Sequence, residues 1–259
     1  MVARGLVGVS LLLSLVLAAC SVTDSVEVPT DAIEPQFRVV AGPDATHVTV
    51  VLFRAGPGAN RIELSAGDTL TARLGAGAAV PLQVTEPGSI WVRYTGTLEA
   101  ASEGDEVTVA FERARQPSAP VTRLLVPQAP IVGAPVDGST ESRFEDAPTA
   151  LDVAWTPLPG GLSVEVSLGL VSCDGLDGEQ TEVLAALLAL PGQLYDGASG
   201  AAEVDLLRTV YDEDCVADVL VGAVSQLVEL DPAFAAARAG TRIVHLAPPP
   251  RVTFETTTF

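Results

Sequence analysis

The sequence predicts an all-β protein made of two tandem antiparallel β-sandwiches. Three features predict it. Apolar residues recur on alternate positions in short runs, Gly/Pro/Asp clusters break those runs at short intervals, and a proline-rich stretch divides the chain. Period two places successive side chains on opposite faces of a strand. Leu70, Ala72 and Leu74 therefore share one face, as do Val107, Val109 and Phe111. The strand candidates of the first half are "HVTVVLF", "NRIEL", "DTLTARL", "VPLQV", "SIWVRY" and "EVTVAFER", separated by "GPG", "SAGD", "GAGA", "EPG" and "SEGD". Such spacing, with no amphipathic helix between the runs, is that of a sandwich or barrel.

From Gln116 to Pro135 the chain carries five prolines. Proline cannot donate to a β-ladder, so this stretch reads as a linker, with an edge strand opening the next module. The expected organisation is residues 36–117 as the first sandwich and 118–259 as the second. In the second, "ALDVAW", "LSVEVSLGLVSC", "VADVLVGAVSQLVEL", "TRIVHLA" and "RVTFETT" read as strands, and "DPAFAAARAG" as a loop or helical turn. Residues 179–190, "EQTEVLAALLAL", have leucines at helical spacing and read as a short helix or an irregular crossover. A proline-rich lead-in, a Trp-ended strand, a "PxxG" turn and a long strand follow one another here. That order resembles fibronectin type III and other immunoglobulin-like domains, and the resemblance implies that Trp155 is a core residue. The first-half tryptophan, Trp91, also reads as core. The cysteine pair departs from ordinary type III domains.

The N-terminus carries a different signal. Arg4 is followed by "GLVGVSLLLSLVLAA", an early cation and a short apolar stretch ending in small residues, which is the layout of a secretory signal peptide over residues 1–19. The run is too short for a convincing membrane span. "LAAC" (Leu17 to Cys20) resembles the lipobox of bacterial lipoproteins. The resemblance implies cleavage before Cys20, a diacylglycerol on its thiol and often a further acyl chain on its amine. Two or three chains make a stable anchor where one is marginal. Ser21, by the same resemblance, favours the outer membrane. Residues 20–35 are polar with two prolines and carry no helical stripe, so they read as the lipidated cysteine and a flexible tether. The lipobox and the two β-rich modules together resemble exported lipoproteins of GC-rich bacteria, which implies localisation and fold but no activity.

Composition excludes several chemistries. The net charge is −19, and removal of Arg4 with the signal peptide makes it more negative still. A basic patch cannot be assembled from such a chain, so nucleic acid is excluded as a partner. All 14 cations are arginine. Without lysine there is no Walker A motif, no Schiff base and no S-x-x-K nucleophile. Serine catalysis needs a base, and only His47 and His245 are present, each in a predicted strand and with no G-x-S-x-G elbow. There is no H-E-x-x-H. Aromatic residues make up 5% of the chain, too few for the platforms of sugar sites.

With Cys20 assigned to lipid, Cys173 and Cys215 remain, and in an exported chain two cysteines form a disulfide. The bridge would bring together two acidic loops: "CDGLDGEQ", with Asp174, Asp177 and Glu179, and "YDEDC", with Asp212 and Asp214. Clustered hard oxygens of this kind could hold calcium. The reading from sequence is a lipid-anchored, non-catalytic envelope protein with a binding, structural or assembly role toward an unknown envelope protein or ligand. The alternatives are an envelope hydrolase using paired carboxylates, or a calcium-dependent adhesion module.

Overall fold

A computed structural model describes residues 22–56, 60–144, 149–175, 192–206, 214–226 and 228–257. Among these the only helical pieces are three-residue 3-10 turns, and the protein is all-β. The first ten strands are β1 (Val22–Asp24), β2 (Ile33–Ala41), β3 (Ala45–Arg54), β4 (Arg61–Glu63), β5 (Thr69–Leu74), β6 (Val80–Pro81), β7 (Gln83–Thr85), β8 (Arg93–Glu99), β9 (Glu106–Glu112) and β10 (Ala119–Leu125). They build the first sandwich. One layer runs β1-β4-β3-β2, with β8 and β7 continuing beside the early part of β3; the other runs β10-β9-β5-β6. The alternation read in the sequence places Phe37, Val39, Val50, Leu52 and Tyr94 on one inner face. Leu70, Val107, Val109, Phe111 and Leu124 lie opposite them.

The later strands are β11 (Val132–Ala134), β12 (Ser139–Phe144), β13 (Thr149–Trp155), β14 (Ser163–Cys173), β15 (Gln193–Asp196), β16 (Ala201–Leu206), β17 (Cys215–Ser225), β18 (Val228–Glu229), β19 (Arg242–Leu246) and β20 (Arg251–Thr257). Here the layer β11-β13-β16 faces the layer β12-β20-β17-β14-β15. In immunoglobulin letters this is A, B and E against A′, G, F, C and C′, so the second sandwich is immunoglobulin-like. Trp155, at the end of strand B, is buried, and its indole Nε1 donates to the carbonyl of Gly197 at 3.0 Å.

The two sandwiches are joined by more than a linker. After β17 the chain leaves the second sandwich, runs through residues 228–241 along the first, and returns as β19 and then β20. This arm closes one edge of each layer of the first sandwich. β18 pairs antiparallel with β10, and β19 pairs parallel with β2 while remaining antiparallel to β17. Between them the arm is bonded along β2: Ala235 N to Ile33 O (3.1 Å), Arg238 N to Pro35 O (2.9 Å) and Phe37 N to Thr241 Oγ1 (3.2 Å). On the β10 side, buried Asp231 accepts from Val121 N at 2.9 Å, and its own N–H donates to Thr122 Oγ1 at 3.2 Å. Phe234 and Ile243 are buried in the first core, where the Phe234 ring stacks on Phe111 with centroids 6.1 Å apart. Exposed edge strands are templates for unwanted pairing, and the arm removes two of them.

Four expectations from the sequence meet a different structure. Residues 22–35 do not hang free. They form β1, two 3-10 turns and the start of β2, with Ser25, Val28, Thr30 and Ile33 buried. β10 lies beyond the boundary expected at 117, yet it pairs with β9 and places Leu124 in the first core. Its proline, Pro120, is tolerated because the register shifts between Ala119 and Thr122, a bulge that asks for no donor there. The arm, 228–246, falls within the span expected for the second sandwich, 118–259, yet pairs with β10 and β2 of the first. Trp91 is 59% exposed rather than core, because "EPGSIW" is spent on a turn and the strand begins only at Arg93. The helix or crossover expected at 179–190 lies outside the described residues.

Candidate functional site

The site with most physical content is the end of the first sandwich where the chain enters. Cys20 lies outside the described residues, but Val22, two positions later, is already paired with Arg61 in the β1–β4 ladder. What fixes this segment is a buried cation. The Arg113 side chain is fully buried. Its Nη1 donates to Val28 O at 2.9 Å and to Thr30 Oγ1 at 2.8 Å, its Nη2 donates to Ser25 O, and its Nε faces Asp68 Oδ2 at 3.4 Å. Asp68 in turn accepts from Ser25 Oγ at 2.7 Å. A buried charge is tolerated only when paired and hydrogen-bonded, and this network satisfies that condition using the backbone of residues 25–30. Composition suggested a tether here because the segment is poor in apolar residues. The network replaces apolar burial with polar satisfaction.

Beside β1 stands the turn of residues 86–92. Arg61 Nη1 donates to Val92 O at 3.3 Å, and its guanidinium lies 5.3 Å from the Trp91 ring centroid and 5.7 Å from that of Phe53. Burial holds the Arg61 pKa below its ordinary value, with Arg93 adding to the effect. Glu86 takes a left-handed φ of 58°, uncommon for a residue with a side chain. The turn is held by Glu63, which accepts from Gly88 N at 2.9 Å, and by the Arg93–Glu86 pair at 3.0 Å. Ile90 and Trp91 project from it, 43% and 59% exposed.

On another face lies a shallow groove of about 620 Å³ whose lining includes His47, Thr49, Pro81, Gln83, Thr95 and Thr97. It exists because the strand breaks at Leu82: β6 belongs to one layer and β7 to the other. Leu82 fills the space over Gly96, where an added Cβ would meet Leu82 Cδ2 at 2.6 Å. His47 Nδ1 is 3.3 Å from Thr97 Oγ1. Hydroxyls, one amide and one imidazole can bind through hydrogen bonds, but the groove lining holds no carboxylate for acid–base work on a glycoside.

The other candidates are placed as follows. Cys173 and Cys215 face each other on β14 and β17 and are disulfide-bonded, with Cα atoms 4.0 Å apart. Asp174 and Asp214 flank the bridge, and Asp174 N donates to Asp214 O at 2.9 Å. Asp177, Glu179 and Asp212, the rest of the expected calcium set, lie outside the described residues. Among the described residues no group of three His, Cys, Asp or Glu side chains could hold a metal. His245 is on β19, two strands across from His47 of β3, and the register through Val40 and Ala41 of β2 puts the two imidazoles on opposite faces of the sheet; its Nδ1 is 2.6 Å from the Pro127 carbonyl oxygen. A seam cluster went unnoticed in the sequence. Glu165 of β14, nearly buried, lies 3.3 Å from Arg242 of β19 and 3.8 Å from Arg38 of β2. Only the pairing of β19 with β2 brings these three together, and no local pattern announces it.

Comparison with known proteins yields little beyond this. No protein-family model matches the chain, and no curated protein matches it. Among solved structures, the FN1–FN3 domains of chicken CNTN1 are 13% identical at a TM-score of 0.24, over 86% of this chain and 67% of that one. The Yersinia pseudotuberculosis adhesin InvE is 13% identical at a TM-score of 0.25, over 85% of this chain and 58% of the adhesin. A chimeric titin Z1Z2 tandem is 11% identical at a TM-score of 0.26. At such scores none of these likenesses bears on role or arrangement. Among the described residues no helix is long and apolar enough to cross a membrane.

Proposed function

We propose that the chain is a lipid-anchored, non-catalytic protein of the bacterial cell envelope that presents two rigidly joined β-sandwiches as a binding or structural element. The observation that carries this reading is the position of the first strand. "LAAC" ends at Cys20, and Val22, two positions later, is paired with Arg61 in the β1–β4 ladder. An acyl group on Cys20 would stand two positions in sequence from a residue fixed in the sheet, with Ser21 alone between them. Ser21 favours the outer membrane as the site of the anchor. The non-catalytic part of the reading is supported by two histidines that the register places on opposite faces of one sheet and by a groove lined with hydroxyls.

Growth with labelled fatty acid tests the anchor. Label should enter the wild-type protein and be absent from a Cys20→Ser variant. A Cys20→Ser protein that still carries label refutes the assignment.

A further inference from the structure

We propose that the turn carrying Ile90 and Trp91 is a membrane-contact surface, seated in the headgroup region of the bilayer that holds the anchor. The inference rests on the lipid-anchor reading above and deepens it.

Reach comes first. One residue, Ser21, separates Cys20 from Val22, and two residue steps of extended chain span at most about 7 Å. An anchor that short leaves no freedom for the body to stand off from the lipid. Whatever lies beside Val22 faces the bilayer surface. Val22 is register partner to Arg61, and the Arg61 guanidinium stands over Trp91 at 5.3 Å. The aromatic turn is therefore beside the point where the chain must meet the membrane.

Chemistry comes second. An indole with an apolar body and one N–H donor suits the boundary between hydrocarbon and headgroup. Ile90 adds an aliphatic side chain, and Val84, 45% exposed on neighbouring β7, lies next to the turn. Arg61 and Arg93 place guanidinium groups among these residues, where they can reach lipid phosphate while their stems lie on apolar surface. Glu86 and Glu63 stand beside these cations, so the turn carries no net negative charge on a strongly acidic chain.

Construction comes third. Trp91 is not loose. Trp91 N donates to Ser89 Oγ at 3.1 Å and Val92 N to Ser89 O at 2.9 Å, while Glu63 and Arg93 fix the preceding residues. Glu86 holds a left-handed backbone to complete the turn, a local cost that makes sense where a side chain must be held outward. One exposed tryptophan would bind a bilayer weakly from free solution. Behind so short a link the contact is intramolecular, and a weak contact is then well populated.

The test uses the mature chain beginning at Cys20. With Cys173 and Cys215 bridged, Cys20 is its one free thiol. It is coupled to a maleimide phosphatidylethanolamine in phosphatidylcholine vesicles containing lipid brominated high on the acyl chains. Tryptophan emission should shift to the blue and be quenched. A Trp91→Phe protein, reporting only buried Trp155, should lose both changes, and uncoupled protein should show neither. Red, unquenched Trp91 emission from coupled protein overturns the proposal. So does a blue shift without quenching that grows with protein density, since a second copy would then be covering the turn. Mass spectrometry of the protein from producing cells separates the two readings. A Cys20 without lipid sinks the anchor, and a lipidated chain with unquenched Trp91 sinks the contact alone.

Discussion

The two sandwiches are similar in kind and opposite in how they are completed. The second takes its strands from one stretch of chain, β11 to β20, interrupted only by the arm. The first has ten strands of its own and still leaves β2 and β10 as open edges, which are closed by residues that lie beyond strand F of its neighbour. Phe37 N reaches Thr241 Oγ1 across 204 positions of sequence. The difference shows that a sequence boundary between modules need not be a boundary of stability. A core built by its own segment can stand alone, whereas a core built with a donated arm depends on the donor.

Perturbations should therefore fall unequally on the two bodies. The largest effects are expected in the first. Phe234→Ala removes the ring stacked on Phe111 and should cost about 3–5 kcal/mol. Arg113→Ala takes the guanidinium from buried Asp68 and from the carbonyls of Ser25 and Val28, leaving the Asp68 charge uncompensated, and should cost a similar ~3–5 kcal/mol. Denaturant midpoints at unchanged slope would report both. Replacing Cys173 and Cys215 by alanine together should cost about 2–4 kcal/mol, because the bridge restrains a long loop of the unfolded chain. That loss should appear at the β14–β17 ladder and leave the first core in place, which amide exchange can resolve.

The seam itself should be less sensitive. Glu165→Gln removes the carboxylate between Arg38 and Arg242, which are register partners on β2 and β19. A loss of about 1.5–3 kcal/mol is expected, smaller at high salt because Arg38 is half exposed. The smallest effect concerns Tyr94, whose buried hydroxyl accepts from Leu64 N at 2.7 Å. Burial pushes its pKa up to about 12. The unfolded chain loses this proton near pH ~10, so between about pH 10 and 12 the unfolded state binds fewer protons and stability falls as pH rises. Tyr94→Phe should cost about 1 kcal/mol at neutral pH and flatten that alkaline decline in melting temperature.

What the sequence shows and hides follows from the range of the interactions. β3, β5, β9, β13, β14 and β17 were legible because alternating or continuous apolar runs are written within each strand. The disulfide was legible by elimination once Cys20 was assigned to lipid. β10 was hidden by Pro120, which a bulge accommodates. The exposure of Trp91 was hidden because "SIWVRY" alternates like a strand while the turn before it consumes four of those residues. Residues 22–35 looked like a tether because Ser25 and Thr30 are polar, and only Arg113, more than eighty positions away, makes their burial favourable. The arm was hidden for the same reason at greater distance. "TRIVHLA" reads correctly as a strand, but nothing in it names β2 as a partner.

The central claim is that residues 228–246, which follow strand F of the second sandwich, hold the first one together. Hydrogen–deuterium exchange on Phe234→Ala beside the wild type tests it most directly. Exchange is predicted to accelerate across β2, β9 and β10, while β13, β14 and the first half of β17 keep their protection. Acceleration confined to the second sandwich, or protection unchanged in β2 and β10, would contradict the account.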